Sequence, residues 1–388
     1  MSYVNIGDDK FVEDTLSRKE FYSLKAANDR NFRDPGEDDT FPAHLKISSY
    51  QLFVGNFINP NTPYKRLHLK FMTGGGKTLG ALYSAHKFIE KYRKMHAVAV
   101  SKIQATRRNL QELDRELPTV FVLGFEGTKN AFLRDLMKYP EFGFITLSEK
   151  EELLKRQNLA NSGMPDDVRY YREYYAVIKK RITNKAKGGF FKFFGYDEFV
   201  NRLFYSETIA LTDLETIVAN EIKAGRETTL EAVFADHIKR GIVQVNTTLM
   251  DMFKNSLLIC DEIHNTYNMN MKNNRGVAIQ YILDSIPSLR FLSLSATPIN
   301  NSPTEVVEWI NYLVPADQKV TKRELFSGRN LLPGKLEFIG KLLRGRVSFL
   351  QDVNIKYFPK SEFVGSEIKI PHDVGDIGIA GASIPYLK

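Results

Sequence analysis

From about residue 46 onward, the hydrophobic positions switch between two periods. Short apolar runs occupy 66–71, 96–101, 119–123, 142–147, 256–260 and 289–294. Between them, apolar residues recur every three or four positions over 78–94, 103–117, 128–138, 275–286 and 303–314. Runs of the first kind predict buried strands, and the longer period predicts amphipathic helices. Strands buried on both faces and alternating with helices predict an α/β fold built on a parallel sheet.

The flanks follow a different pattern. Residues 1–45 are polar, with Asp34-Pro35-Gly36-Glu37-Asp38-Asp39 as a breaker, and predict an irregular arm with one short helix near 17–27. Residues 148–255 interrupt the βα alternation. They predict a large, mostly helical insertion (149–159, 166–183, 206–225 and 228–240) around one further core element near 190–205. The expected organisation is an arm over 1–45, one α/β lobe over 46–316 and an extension over 317–388. Its tail is weakly patterned from residue 366.

Composition adds little to this picture. The 388 residues leave room for two or three domains. A net charge of +8, from 54 basic and 46 acidic residues, suits either an anionic partner or a mixed solvated surface. With one cysteine, Cys260, no intrachain disulfide can form, and its place in an apolar run reads as strand core. The first residues lack the pattern of a secretion signal and no apolar stretch is long enough to span a bilayer, so neither secretion nor a membrane partner is expected.

Candidate chemistry begins at Phe71-Met72-Thr73-Gly74-Gly75-Gly76-Lys77-Thr78. Consecutive glycines let the backbone turn tightly and present N–H groups to phosphate oxygens. Lys77 supplies a charge for the β- and γ-phosphates of ATP, and the Thr78 hydroxyl a ligand for Mg²⁺. A predicted strand precedes the loop and a predicted helix follows, so the helix N-terminus adds its own preference for anions. The general phosphate-loop pattern wants glycine at 71, where this chain has phenylalanine; the shorter form T-G-x-G-K-T, from Thr73 to Thr78, fits fully.

A second constellation follows the apolar run Leu257–Cys260. Asp261, at the end of that strand, is placed to hold Mg²⁺, Glu262 to orient the attacking water, and His264 to sense the nucleotide. A third run ends in Ser295-Ala296-Thr297-Pro298, and the two hydroxyls could bond to the Asp261–His264 segment. The alternative for Ser295 and Thr297 is a plain strand cap.

The ordered set T-G-G-G-K-T, D-E-I-H and S-A-T-P resembles motifs I, II and III of superfamily 2 helicases. The resemblance implies a RecA-like P-loop NTPase lobe, and places Gln51 at the family's adenine-reading position. It likens Val100-Ser101-Lys102 to motif Ia and Phe194-Gly195-Tyr196 to motif Ib, which implies backbone contacts to nucleic acid through Ser101, Lys102 and Tyr196. Tyr50–Thr78, Gly188–Phe204 and Leu257–Asn268 further resemble the helicase-related small subunit of the early transcription factor of nucleocytoplasmic large DNA viruses. That likeness implies an ATPase acting on nucleic acid, DNA in preference to RNA, with a larger factor subunit and viral RNA polymerase as partners, in the virion and host cytoplasm. Two alternatives remain open: an unwinding helicase, and a nucleotide-gated interaction module.

Superfamily 2 enzymes close two lobes on ATP, and the second carries Q-x-x-G-R-x-x-R. No such segment occurs here. The expectation is a first lobe alone, slow in hydrolysis, because an arginine finger contributes about 10³ to 10⁵ in rate.

Lys179, Lys180 and Arg181 precede the aromatic run Phe190–Phe194, a mixture that suits phosphate contacts and base stacking. A solvated basic loop leading into a buried aromatic strand is the alternative. Tyr170, Tyr171, Tyr174 and Tyr175 fall at helical spacing and read as packing.

Overall fold

The computed structural model describes residues 3–21, 45, 47–72, 74–106, 117–226, 228–268 and 271–350. Six strands form one sheet: β1 (Arg66–Phe71), β2 (Val120–Gly124), β3 (Phe191–Gly195), β4 (Leu257–Asp261), β5 (Arg290–Leu294) and β6 (Val347–Leu350). All pair in parallel, in the order β6-β1-β5-β4-β2-β3. The helices are α1 (Phe11–Leu16), α2 (Ser49–Phe57), α3 (Lys77–Thr106), α4 (Glu126–Lys138), α5 (Leu147–Ala160), α6 (Pro165–Thr183), α7 (Tyr196–Leu203), α8 (Leu211–Lys223), α9 (Leu230–Lys239), α10 (Thr247–Met252), α11 (Asn274–Ser285), α12 (Val306–Leu313) and α13 (Lys335–Leu343).

The alternation of side chains along each strand divides the core in two. Val120, Val122, Leu257, Ile259, Leu292 and Leu294 face a cluster built with α2, α3, α4 and α6. Phe121, Leu123, Leu258, Cys260 and Phe291 face the opposite cluster, built with α7 to α12. The sheet is therefore covered on both faces, as its apolar strands require. Cys260 is fully buried, and burial pushes its thiol well up.

Four expectations need correction. The run at 96–101 is helix, not strand, because α3 continues through it. Its alternation of Ala and Val hides a helical stripe. His96 stacks on Phe190 with ring centroids 4.5 Å apart, and Ile103 buries itself against Ala99 and Val100. The expected strand at 142–147 is a turn. A 3₁₀ turn spans Pro140–Phe142 and Gly143 takes φ 77°, after which a capping box starts α5: the Glu149 N–H bonds Thr146 Oγ1 (3.2 Å) and the Thr146 N–H bonds Glu149 Oε2 (2.9 Å).

The arm is not wholly irregular, since α1 forms and Phe11 and Phe21 are buried beside Phe57. Most of the helix expected near 17–27 lies outside the described residues, as does the tail from 366. The sheet also continues past residue 316: β6 pairs with β1, Val347 opposite His68. The helices expected at 149–159, 166–183, 206–225 and 228–240 are present as α5, α6, α8 and α9.

His68 sits mid-strand on β1 with its Nδ1 2.8 Å from Ser293 Oγ on β5. Burial pushes its pKa down to about 3, so the ring is neutral in the fold. Below its ordinary value of 6.5 the unfolded chain binds a proton that the folded chain refuses. Stability should therefore fall as pH drops from 6.5 towards 3, by up to about 1.4 kcal/mol per pH unit from this group. Urea midpoints measured across that range should show a steeper slope for the native chain than for His68→Leu. Parallel slopes would remove His68 from the acid response.

Candidate functional site

Strand β1 delivers Phe71 to the carboxyl edge of the sheet. Phe71 is fully buried and lies edge-on to Tyr50 (5.2 Å), which explains why a large residue is tolerated where glycine is usual. The loop then turns on two left-handed residues, Gly74 (φ 80°) and Gly76 (φ 71°). A β-carbon at Gly76 would come within 2.4 Å of Gln51 Nε2, so both the conformation and the space demand glycine there. Gly75 closes the turn by donating its N–H to Met72 O (2.9 Å). Thr73 lies outside the described residues.

Helix α3 begins at Lys77, so Thr78 stands in its first turn. The first N–H groups of a helix have no partner within it, which makes this end a favourable place for an anion. Lys77 Nζ donates to Phe71 O (3.1 Å), which holds the ammonium over the loop. Gln51 is buried, with its Oε1 accepting from the Ser48 N–H (2.9 Å) and its Nε2 donating to Gly76 O (3.1 Å). The structure thus places Gln51 as a brace behind the loop. Tyr50 assists, donating its hydroxyl to Gly75 O (3.3 Å).

Across the sheet edge, β4 ends at Asp261. Its Oδ2 accepts from Thr128 Oγ1 (2.7 Å), and its backbone carbonyl accepts from the Tyr196 hydroxyl (2.6 Å). Burial raises the Asp261 carboxyl, and the Thr128 bond and the Lys77 charge oppose that rise. Glu262 takes a left-handed conformation (φ 51°), uncommon for a residue with a side chain, and its carbonyl accepts from Asn265 Nδ2 (3.0 Å). Its carboxyl is lowered, first by the bond to His264 and further by the Lys77 charge. His264 Nδ1 lies 3.3 Å from Glu262 Oε2 and 2.8 Å from Ser295 Oγ. Ser295 in turn accepts from the Thr297 N–H (3.1 Å) and donates its own N–H to Leu69 O on β1 (3.2 Å). The Thr297 side chain is exposed.

The predicted nucleotide residues thus converge on one edge: Gly74, Gly75, Gly76, Lys77 and Thr78 on one strand end, Asp261, Glu262 and His264 two strands away, and Ser295 between them. This donor set fits a nucleoside triphosphate, with amides and one lysine for phosphate oxygens. It fits Mg²⁺ as well, with a hydroxyl at Thr78 and a carboxylate at Asp261. Among the described residues no group of three or more His, Cys, Asp or Glu is set to hold a metal. Magnesium at such sites takes few protein ligands and completes its shell from phosphate and water.

The expected nucleic-acid residues separate. Tyr196 is buried, with its hydroxyl committed beneath Asp261, so it does not face nucleic acid. Ser101 and Lys102 lie far along α3, and Ser101 Oγ donates to Ala97 O (3.0 Å). Twenty-four residues of helix put Ser101 roughly 36 Å from Lys77, so it does not sit at a strand end beside the nucleotide residues. Arg181 binds Glu149 through two nitrogens (2.8 and 2.9 Å) and Phe144 O (3.2 Å), and holds the Glu149 carboxyl at about 2. Lys180 is exposed.

Lys179 fares differently. With Lys129, Lys192 and Arg202 it lines a cleft of about 460 Å³ beside β3, the last strand of the sheet, where Glu198 pairs with Arg202 (2.9 Å). A smaller cleft shares Lys129, Phe193, Phe194 and Glu198 with it and reaches Thr128, the partner of Asp261. Thr128 and Lys129 were not singled out from the sequence. The available signal was position, since they follow a buried strand at the sheet edge where ligands bind. Gly124 makes room for Thr128, because a β-carbon there would lie 2.6 Å from the threonine hydroxyl.

A parallel α/β sheet with a glycine phosphate loop on one strand and adjacent acids on another defines the class, a RecA-like helicase lobe. No family model matches the chain. It is 33% identical over 372 residues to the early transcription factor large subunit homolog of African swine fever virus (isolate Pig/Kenya/KEN-50/1950). That alignment covers 88% of this chain and 30% of the viral protein. Two proteins of Acanthamoeba polyphaga mimivirus named "Putative ATP-dependent RNA helicase" are 24% and 23% identical. Those alignments cover 84% and 93% of this chain, and 25% and 50% of the respective proteins. The homologues support a helicase-like superfamily. The African swine fever virus relative carries the large-subunit name, where the sequence resemblance pointed to the small subunit.

Tyr196→Phe removes only the hydroxyl beneath Asp261. It should lower unfolding stability by about 1 kcal/mol and leave nucleic-acid affinity unchanged. Denaturant titration and fluorescence anisotropy test the pair. Unchanged stability with weakened nucleic-acid binding would return Tyr196 to the nucleic-acid face.

Proposed function

We propose that this lobe binds ATP·Mg²⁺ and couples hydrolysis to remodelling of nucleic acid in viral early transcription. DNA is the favoured nucleic acid, and the lobe acts beside a further factor subunit and viral RNA polymerase. One observation carries the ATPase part: the hydrogen-bonded path from Leu69 on the loop strand through Ser295 and His264 to Glu262. The relatives' names support the transcriptional setting.

In this proposal the loop amides and Lys77 bind the phosphates, while Thr78 and Asp261 hold the metal. Bound Mg²⁺ neutralises phosphate charge. Glu262, kept ionised by His264 and Lys77, orients the attacking water and accepts its proton. Ser295 ties the water-handling segment to the loop strand, so a change at the phosphates reaches His264. Gln51 and Tyr50 fix the loop, and Gln51 keeps one amide hydrogen for an adenine. Thr297, exposed after Ser295, extends the same path outward. Lys129 and Lys179 receive the nucleic-acid backbone.

The mimivirus relatives' names favour a second reading, unwinding of RNA. A strand-displacement assay separates the two, since remodelling by translocation does not release a strand.

Lys77→Ala should weaken binding of a fluorescent ATP analogue at least about tenfold, a loss of about 1.4 kcal/mol. Glu262→Gln should leave that binding within about threefold and cut single-turnover hydrolysis by about 10² to 10⁴. Wild-type hydrolysis in Glu262→Gln would end its role as the base.

For the cleft, the dependence of affinity on salt is the measure. Lys129→Ala and Lys179→Ala should each reduce the slope of log K against log salt by about one. Arg181→Ala should leave that slope unchanged, because its guanidinium is committed to Glu149. The reverse pattern would move the nucleic-acid path off the cleft.

A further inference from the structure

The helices before β3 enclose a second concavity that the nucleotide and cleft residues do not use. It lies between α4, α5 and α6 and measures about 850 Å³. Ala131, Met137, Leu153, Leu154, Tyr171 and Tyr175 supply apolar wall. Arg134, Lys138 and Lys150 are the charged residues on its lining, and an acid, Asp135, lies 3.6 Å from Arg134 Nε but off the lining. On this lining Leu154 is a large apolar side chain left 49% exposed, and Tyr171 and Tyr175 are half-buried. Exposed apolar surface rimmed by polar residues marks an interaction site.

The groove is held in shape rather than loosely open. Arg181 clamps Glu149 with two bonds between α6 and α5, and the Arg156 guanidinium lies over the Tyr174 ring at 4.7 Å. A preformed groove avoids part of the ordering cost of binding.

We propose that this groove docks an amphipathic helix of a partner protein, apolar on one side and acidic on its flanks. Three helices and no open strand edge form the walls, which suits a helix laid in a groove rather than an added strand. Basic residues on the lining select negative flanks. The apolar lining disfavours a polynucleotide, whose backbone calls for cations and polar donors as in the cleft beside β3. Met137 adds a side chain that adapts to varied anchors.

The test uses the full chain and a fluorescein-labelled peptide of about 18 residues, with leucine at i, i+3, i+4 and i+7 repeats and glutamate elsewhere. A control peptide carries lysine in place of every glutamate. Anisotropy should saturate with the acidic peptide and show at least about tenfold weaker binding of the basic one. Leu154→Glu and Lys150→Glu should each weaken the acidic peptide at least about tenfold while leaving binding of the ATP analogue intact. Two variants are used so that misfolding of one leaves the other informative, and thermal melts check both. Equal binding of the two peptides, or binding indifferent to both variants, would overturn the proposal. So would displacement of the peptide by duplex DNA, or self-association of the chain that Leu154→Glu abolishes.

Discussion

The site depends on one topological constraint: β5 lies between the loop strand β1 and the acidic strand β4. The phosphate loop and the Asp261–Glu262 pair therefore never touch through adjacent strands. Their link is the residue at the end of the strand between them. Ser295 bonds backward to Leu69 O and outward to His264. A parallel ladder fixes the heights of the three strand ends, with Leu69 opposite Leu294 and Leu294 opposite Asp261. Shifting β5 by one residue would reverse the faces of its side chains and remove the serine from this position.

On that frame, two neighbouring carboxyls are driven apart. Asp261 is raised by burial, and Glu262 is lowered by His264. Separation of this kind is how adjacent acids acquire different tasks. The left-handed backbone at Glu262 swings its side chain out of the strand direction and towards His264. The strain is local and sits where several bonds over-determine it, including Asn265 Nδ2 to Glu262 O. Lys77 lowers both acids, so the loop's cation and the acids belong to one electrostatic unit.

Much of this was legible in the sequence, for a physical reason. Buried parallel strands are continuous apolar runs, and the motifs sit at their carboxyl ends, so 66–71, 256–260 and 289–294 were recognisable together with their chemistry. The failures share a cause too. At 96–101 a short stretch of Ala and Val satisfies either period, and only contacts with Phe190 and Ala186 settle it as helix. At 142–147 the apolar residues Phe142, Phe144 and Ile145 are buried as a strand's would be, but a turn carries them into the core. Strand β6, Val347-Ser348-Phe349-Leu350, is too short to announce itself and forms on the edge that β1 offers. Tyr196 shows the limit of motif position. Its neighbours suggested a surface role, whereas its ring packs under Asp261 beside Phe125 (5.8 Å).

Helix α4 connects these parts. Thr128 in its first turn bonds Asp261, Lys129 enters the basic cleft, and Ala131, Arg134 and Lys138 line the apolar groove. Three residues of one turn thus serve three different surroundings, because successive helical positions point about 100° apart. The helix follows β2 after a single residue, Phe125, so it has little freedom to move independently of the sheet edge. A displacement of α4 large enough to be felt in the groove alters the Thr128–Asp261 bond as well. The loss would fall on the carboxyl that burial already raises and that this bond helps to keep ionised. Of the contacts around the acids, the one from Thr128 ties the helix that lines the groove to the nucleotide residues.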